Sequence, residues 1–101
     1  MEKIFKSLGD KTRVEILLII YLKPDICLCN IEKYFTLSNS NLSRHLKELE
    51  QAELISSYKK GRWKHYKVTL VGNYLVEVIN KIDKDNLLFN KIKEKIKSIE
   101  I

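Results

Sequence analysis

Two thiols one residue apart, Cys27 and Cys29, and a polar run over residues 38–47 are where this sequence could do chemistry. Deprotonated thiols are soft donors, suited to As(III), Sb(III), Cd(II) or Pb(II) more than to hard cations. They can also be oxidised, to a sulfenate or a disulfide. A disulfide across so short a loop is strained, so a structural crosslink is not expected. At i and i+2 of a regular helix the two side chains would point about 200° apart. Both sulfurs could then grip one ion only if the local turn were irregular. Two cysteines at a helix start could equally be small packing residues.

The polar run offers different chemistry. Arg44 can donate two hydrogen bonds to guanine O6 and N7, and Asn39 and Asn41 can pair with adenine edges. Ser40 and Ser43 can serve base or phosphate, and a helix N-terminus itself favours phosphate. Shortly after comes a basic stretch, Tyr58-Lys59-Lys60-Gly61-Arg62-Trp63-Lys64-His65-Tyr66. Lys47, Lys59, Lys60 and Lys64 suit phosphates, which position a protein without reading sequence. Arg62, beside the glycine, is placed to enter a minor groove. Residues 38–67 hold seven cations and three acids, a local net charge of +4 within a chain of +6. A solvated basic surface would account for the total; the clustering favours a polyanion partner.

Several elements must position these groups. Ile4, Phe5 and Leu8 suggest a first helix ending at Gly9. Asp10 caps a second, whose apolar residues lie on nearly all sides, the mark of a central buried helix ended by Pro24. A third helix is expected over 28–35, with Ile31, Tyr34 and Phe35 inward. Ser38 caps a fourth over 39–52, with Leu42, Leu46 and Leu49 forming one stripe against the core. His45 beside that stripe reads as a partly buried hydrogen-bonding residue, and Trp63 as packing across a hairpin. Strands over 55–60 and 63–69 flank Gly61, with Tyr66 and Val68 on one face and Trp63, His65 and Lys67 on the other. Leu70, Tyr74, Leu75, Val78, Ile79 and Ile82 mark a fifth helix, broken at 83–86. Phe89, Ile92, Ile96 and Ile99 mark a sixth. The expected fold is mainly α with a small β-hairpin, a winged helix-turn-helix of order ααααββαα.

Four segments in this order resemble the ArsR family of metal-responsive repressors. They are Gly9-Asp10-Lys11-Thr12-Arg13-Val14-Glu15-Ile16-Leu17, Asp25-Ile26-Cys27-Leu28-Cys29-Asn30-Ile31, Leu37-Ser38-Asn39-Ser40-Asn41-Leu42-Ser43-Arg44-His45-Leu46, and Gly61-Arg62-Trp63. The resemblance runs over about residues 4–70. It implies a homodimeric winged-helix repressor that leaves its operator when a toxic metal or metalloid binds. Residues 25–31 are similar to the Cys-x-Cys box of the arsenite and cadmium/lead sensors, which implies that Cys27 and Cys29 are effector ligands. The chain departs from that pattern in three ways. Where arsenite sensors often carry a third thiol, three residues after the second, this chain has Glu32. Three-coordinate As(III) would then take a small-molecule thiol or water as its third partner. The cadmium/lead branch adds cysteines from an N-terminal arm, which this sequence lacks. The zinc and nickel branch uses His and carboxylate ligands on the fifth helix, whereas the two histidines here are His45 and His65. As(III) or Sb(III) therefore leads, with Cd(II) and Pb(II) behind.

At 101 residues the chain is expected to be one domain. Its first, fifth and sixth helices (about 1–8 and 70–99) expose more apolar surface than a small core can cover, and are expected to form a dimer interface. Two recognition helices about one DNA turn apart would read an inverted repeat in double-stranded operator DNA. The longest apolar stretch, residues 16–22, is far short of the roughly 20 residues of a membrane helix. Met1-Glu2-Lys3 meets Ile4 and Phe5 without an apolar leader. No membrane contact and a cytoplasmic location are expected. No nucleophile with a paired base, Gly-rich phosphate loop or carboxylate pair suggests an enzyme. The alternatives are a redox-responsive repressor using the same two cysteines and a winged-helix domain used for protein contacts.

Overall fold

A computed structural model describes residues 1–99. Helix α1 (Glu2–Leu8) and helix α2 (Lys11–Leu22) precede a two-residue strand β1 (Ile26–Cys27) and a short helix α3 (Leu28–Ile31), which tightens into a 3₁₀ turn at Glu32–Tyr34. Helix α4 (Asn39–Gln51) leads into the hairpin β2 (Ile55–Lys60) and β3 (Trp63–Val68). Helix α5 (Leu70–Ile82), a 3₁₀ turn at Lys84–Asn86 and helix α6 (Leu87–Ile99) complete the fold. This is the expected winged helix-turn-helix, with one addition. The sheet has three antiparallel strands in the order β1-β3-β2, not two. A strand of two residues has no readable period; pairing with β3 creates it.

Helix α2 organises the core. Residues 16–20 are all fully buried, so every side of the helix is covered. It packs against α1, α4, α5, α6 and β3. Burying one such Ile or Leu is worth about 1.5–3 kcal/mol, so α2 anchors everything it touches. Its start is fixed by Asp10, whose carboxylate accepts from the Arg13 backbone N–H at 3.1 Å. It stops at Lys23 because Pro24 disfavours helical geometry in the residue before it.

Helix α4 is bounded sharply at both ends. Ser38 Oγ accepts from the Asn41 N–H at 3.2 Å, capping α4. At the other end Glu53 takes a left-handed φ of 60°. The Leu54 N–H then donates to the Leu49 carbonyl at 3.0 Å and the Glu53 N–H to the Glu50 carbonyl at 2.9 Å, a Schellman closure. Thr69 Oγ1 lies 2.6 Å from the Glu53 carbonyl and accepts from the Gly72 N–H at 3.0 Å. It therefore ties this exit to the start of α5. Gly72 is required there, because a Cβ would collide with the Leu54 carbonyl oxygen and a Val68 methyl.

The terminal helices differ in how much of their apolar surface the chain itself covers. Phe89, Ile92 and Ile96 of α6 are buried in the chain's own core against α2, while Lys91, Lys93 and Lys97 face outward. Lys95 lies 4.3 Å above the Phe35 ring and 3.8 Å from Glu15. The apolar surface left exposed belongs to Phe5 of α1, to Leu70, Val71, Tyr74, Val78 and Ile82 of α5, and to Leu87 at the start of α6. Among the described residues no helix is long and apolar enough to cross a membrane.

Asp10 gives the fold an acid-sensitive point. The Arg13 amide holds its carboxyl below the ordinary carboxylate range, with burial opposing and the Arg13 charge reinforcing. A depressed folded-state pKa contributes stability above the unfolded pKa, near 3.8, and loses it as pH falls through the folded value. Asp10→Ala should cost about 1 kcal/mol at neutral pH through loss of the cap. Asp10→Asn keeps an acceptor but cannot titrate, so urea midpoints below about pH 4 should fall less steeply than in wild type. An unchanged acid slope in Asp10→Asn would place the effect elsewhere.

Candidate nucleic-acid interface and thiol site

Helix α4 presents its two faces as the apolar period demands. Leu42, Leu46 and Leu49 are buried, and Asn39, Ser40, Asn41, Ser43, Arg44 and Lys47 are all exposed along the other side. Its seating depends on polar contacts as well as leucines. Buried Ser7, on α1, donates from Oγ to the Glu48 carbonyl at 3.3 Å. The Arg13 guanidinium reaches the Ser7 carbonyl at 2.9 Å, the Lys6 carbonyl at 3.3 Å and His45 Nδ1 at 3.3 Å. An arginine only donates, so His45 Nδ1 accepts. His45 is 8% exposed and, as expected, a hydrogen-bonded structural residue. Arg13 thus holds the first and fourth helices in one register. Nothing local in the sequence marks Ser7 or Arg13 for that task, because their partners lie far along the chain.

The hairpin projects a basic edge. Lys59, Lys60 and Arg62 are exposed at and beside the Gly61 turn, which needs a left-handed φ of 66°. Among the described residues Arg44, Lys47, Lys59, Lys60 and Arg62 have no ion-pair partner, leaving their charge available. Lys64, expected as a phosphate contact, also makes an ion pair within the fold. It is half-buried, lies 3.4 Å from Glu50 of α4 and sits 5.4 Å from the Tyr66 ring centroid. Burial opposes its charge, but Tyr66 and Glu50 outweigh that and raise its pKa. Lys64 braces the wing against α4. The physical reason is the register: Lys59 and Lys64 are cross-strand partners, so they share a face, and the lysine nearer α4 takes the carboxylate there. Trp63 is 54% exposed opposite Lys60, less packed than expected.

The cysteines differ most from the sequence reading. The structure joins Cys27 to Cys29 as a disulfide, although the two-residue separation argued against one. Local geometry explains it. Cys27 is the last residue of β1 and the N-cap of α3, with extended angles (φ −73°, ψ 144°). Only Cys29 is helical, so the two side chains are not 200° apart, and their Cα atoms lie 5.2 Å apart, within the usual disulfide range. The irregular turn that two sulfurs need to meet at one point is therefore built in. Cys27 Sγ also accepts from the Cys29 N–H at 3.3 Å. Cys27 is buried and Cys29 half-buried. Glu32, in the third-thiol position, is exposed on the 3₁₀ turn, and no third thiol completes the set. Among the described residues no group of three or more His, Cys, Asp or Glu side chains is arranged to enclose a metal ion. The donor set fits two bonds to a soft ion and leaves the third to an exogenous ligand.

Comparison with known proteins adds to this geometry. The sequence model of the family described as "Bacterial regulatory protein, arsR family" matches residues 10–57, from the cap of α2 to the first half of the hairpin. The chain is similar to the arsenical resistance operon repressor of Bacillus subtilis, 38% identical over 65 residues, covering 64% of this chain and 62% of that protein. It is also similar to the transcriptional repressor SdpR of the same organism, 33% identical over 90 residues, covering 84% of this chain and 99% of that one. It spans 51% and 62% of the length of two arsenic-resistance regulators that it matches. Among solved structures, reduced HlyU from Vibrio cholerae superposes with a TM-score of 0.70 at 20% identity, over 79% of this chain and 84% of that one, a likeness of fold.

Two kinds of contact should separate on mutation. Arg44→Ala should relax sequence preference, costing about 1–3 kcal/mol on the preferred duplex and little on random DNA. Lys60→Ala should weaken binding to every duplex and flatten the salt dependence by about one unit of slope. Fluorescence anisotropy across a salt series measures both; identical behaviour of the two variants would refute the division of roles.

Proposed function

Because this chain belongs to the ArsR family of bacterial regulatory proteins, we propose that it is a homodimeric repressor whose hold on DNA is set by Cys27 and Cys29. In this reading α4 lies in the major groove of an operator, with Arg44, Asn39 and Asn41 at base edges and Ser40 and Ser43 at base or phosphate. Lys47, Lys59, Lys60 and Lys64 hold phosphates, and Arg62 enters the minor groove. The effector is a soft thiophilic ion, As(III) or Sb(III) ahead of Cd(II) or Pb(II). Relatives named for arsenical and for cadmium resistance support that class. The observation that carries the reading is the extended N-cap geometry of Cys27, which lets both sulfurs reach one point.

Starting from the reduced pair, the exchange needs no redox partner. Arsenous acid exchanges two hydroxyls for two thiolates, the two thiol protons leave with them as two waters, and the third hydroxyl stays on arsenic or leaves as a third water when a small thiol replaces it. Binding would straighten or tilt the first turn of α3, which leads through residues 32–38 into α4. Release follows only if the effector binds the DNA-free arrangement more tightly than the DNA-bound one.

The bonded sulfurs favour a second reading by a specific observation. Oxidation of the reduced pair gives this disulfide with loss of two protons and two electrons, which hydrogen peroxide takes up to form two waters. The same turn then responds to oxidant instead of metalloid. Cys27→Ser should keep operator affinity within about twofold and lose release under both signals, since an exposed DNA face does not include Cys27. Anisotropy with arsenite, antimonite, cadmium, lead or peroxide added in turn distinguishes the readings. Release of Cys27→Ser by arsenite would sink the ligand assignment.

The exposed stripe of α5, with Phe5 of α1, fits a second copy of this chain better than α6 does, since α6 has its apolar side in the core. Val78→Glu should convert the dimer to monomer in sedimentation at micromolar concentration and remove cooperative binding to an inverted repeat. Wild type sedimenting as a monomer under those conditions would dismiss the dimer.

A further inference from the structure

The turn before the thiol pair is gripped by the wing. Asp25 lies between Pro24 and β1 with a left-handed φ of 63°. Tyr58, on β2, donates its hydroxyl to Asp25 Oδ1 at 2.7 Å. His65, on β3, has Nδ1 2.9 Å from the Asp25 backbone carbonyl. A carbonyl has no proton to give, so His65 Nδ1 is the donor. The two rings are cross-strand partners and stack, with centroids 5.6 Å apart and planes 17° from parallel. His65 is also the β-ladder partner of Cys27 itself. One residue of the wing therefore faces the thiol-bearing strand on one side and Tyr58 on the other.

We propose that Asp25, Tyr58 and His65 form a clasp that passes the state of the Cys27–Cys29 pair to the wing, with Tyr58 as a positioning residue. The inference rests on the reading of those cysteines as the sensing site and adds a second route from them to DNA besides α3 and α4. Its basis is how short the connection is. Asp25 is two residues from Cys27, and β1 has only two residues, too few to absorb a displacement of the Cys27 backbone. Any shift there moves the Asp25 carboxylate and carbonyl, and with them the two rings that orient the hairpin bearing Lys59, Lys60 and Arg62. The hydrogen bond to Asp25, with lesser help from burial and the Asp25 charge, raises the pKa of the Tyr58 hydroxyl. Coupling of this kind is a difference in wing arrangement between thiol states, so it can be read without knowing the operator.

The chain carries its own reporter. Trp63 is its single tryptophan, 54% exposed, two residues from His65 on the same strand and face. Time-resolved anisotropy of Trp63 in the full chain should differ between protein reduced with dithiothreitol, the same protein with arsenite, and protein oxidised with diamide, each state verified by intact mass. Tyr58→Phe keeps the ring stack and removes the hydroxyl, and should shrink that difference by about half or more. The effect of thiol state on affinity for duplex DNA should drop by about fivefold in the same variant. Asp25→Gly, which suits the left-handed φ and removes the acceptor of the Tyr58 hydroxyl, is the second variant should Tyr58→Phe fail to fold by circular dichroism. A Trp63 signal in either folded variant that follows thiol state as in wild type overturns the clasp. So does a wild-type signal identical in the reduced and oxidised forms. Absence of an arsenite mass adduct would dismiss the metalloid reading alone, because the reduced and oxidised forms still decide the clasp.

Discussion

Strand β3 is shared, and most of the molecule's behaviour follows from that sharing. On one edge it pairs with β2 to make the wing; on the other it pairs with Ile26 and Cys27. Antiparallel pairing fixes neighbours at about 4.5–5.5 Å, so the register that sets Tyr58 opposite His65 also sets His65 opposite Cys27. A basic hairpin used alone would be a mobile arm. Here its central strand is also the support for the thiol-bearing turn.

The second constraint is the burial of α2. With residues 16–20 covered on every side, α2 is a fixed post against which α1, α4, α5 and α6 are referenced. The recognition helix is held to it by leucines and set in rotation by Arg13 and Ser7, whose contacts with His45 and the Glu48 carbonyl cross from the first two helices. Apolar packing supplies most of the stabilisation and tolerates small slips; the directional hydrogen bonds do not. This combination fixes the direction in which α4 presents Arg44 to solvent.

Polar side chains divide by whether the fold uses them. Lys64 pairs with Glu50 at the α4–wing junction, whereas among the described residues Lys59, Lys60 and Arg62 have no ion-pair partner. Charge held inside a junction fixes shape, and charge left in solvent remains available for phosphates. The terminal helices show the same division among apolar groups: α6 spends its stripe on the core, while α5 keeps Tyr74, Val78 and Ile82 exposed.

Local pattern alone determined the capped helices, the buried character of α2, the polar face of α4 and the glycine-centred hairpin. Each is a property of residues within a few positions of one another, where period, caps and turn residues carry the information. The order of those elements, with residues 9–17, 25–31, 37–46 and 61–63, was also enough to place the chain among ArsR regulators. Tertiary structure alone decided that Ile26 and Cys27 are a strand, that Cys27 and Cys29 face one point, and that Lys64 pairs with Glu50. The same holds for the joining of Arg13 to His45 and of Asp25 to Tyr58 and His65. Apart from the cysteine pair, those partners are 14 to 40 residues apart, and no local period or propensity encodes a contact that exists only once the core around α2 has brought two distant segments together.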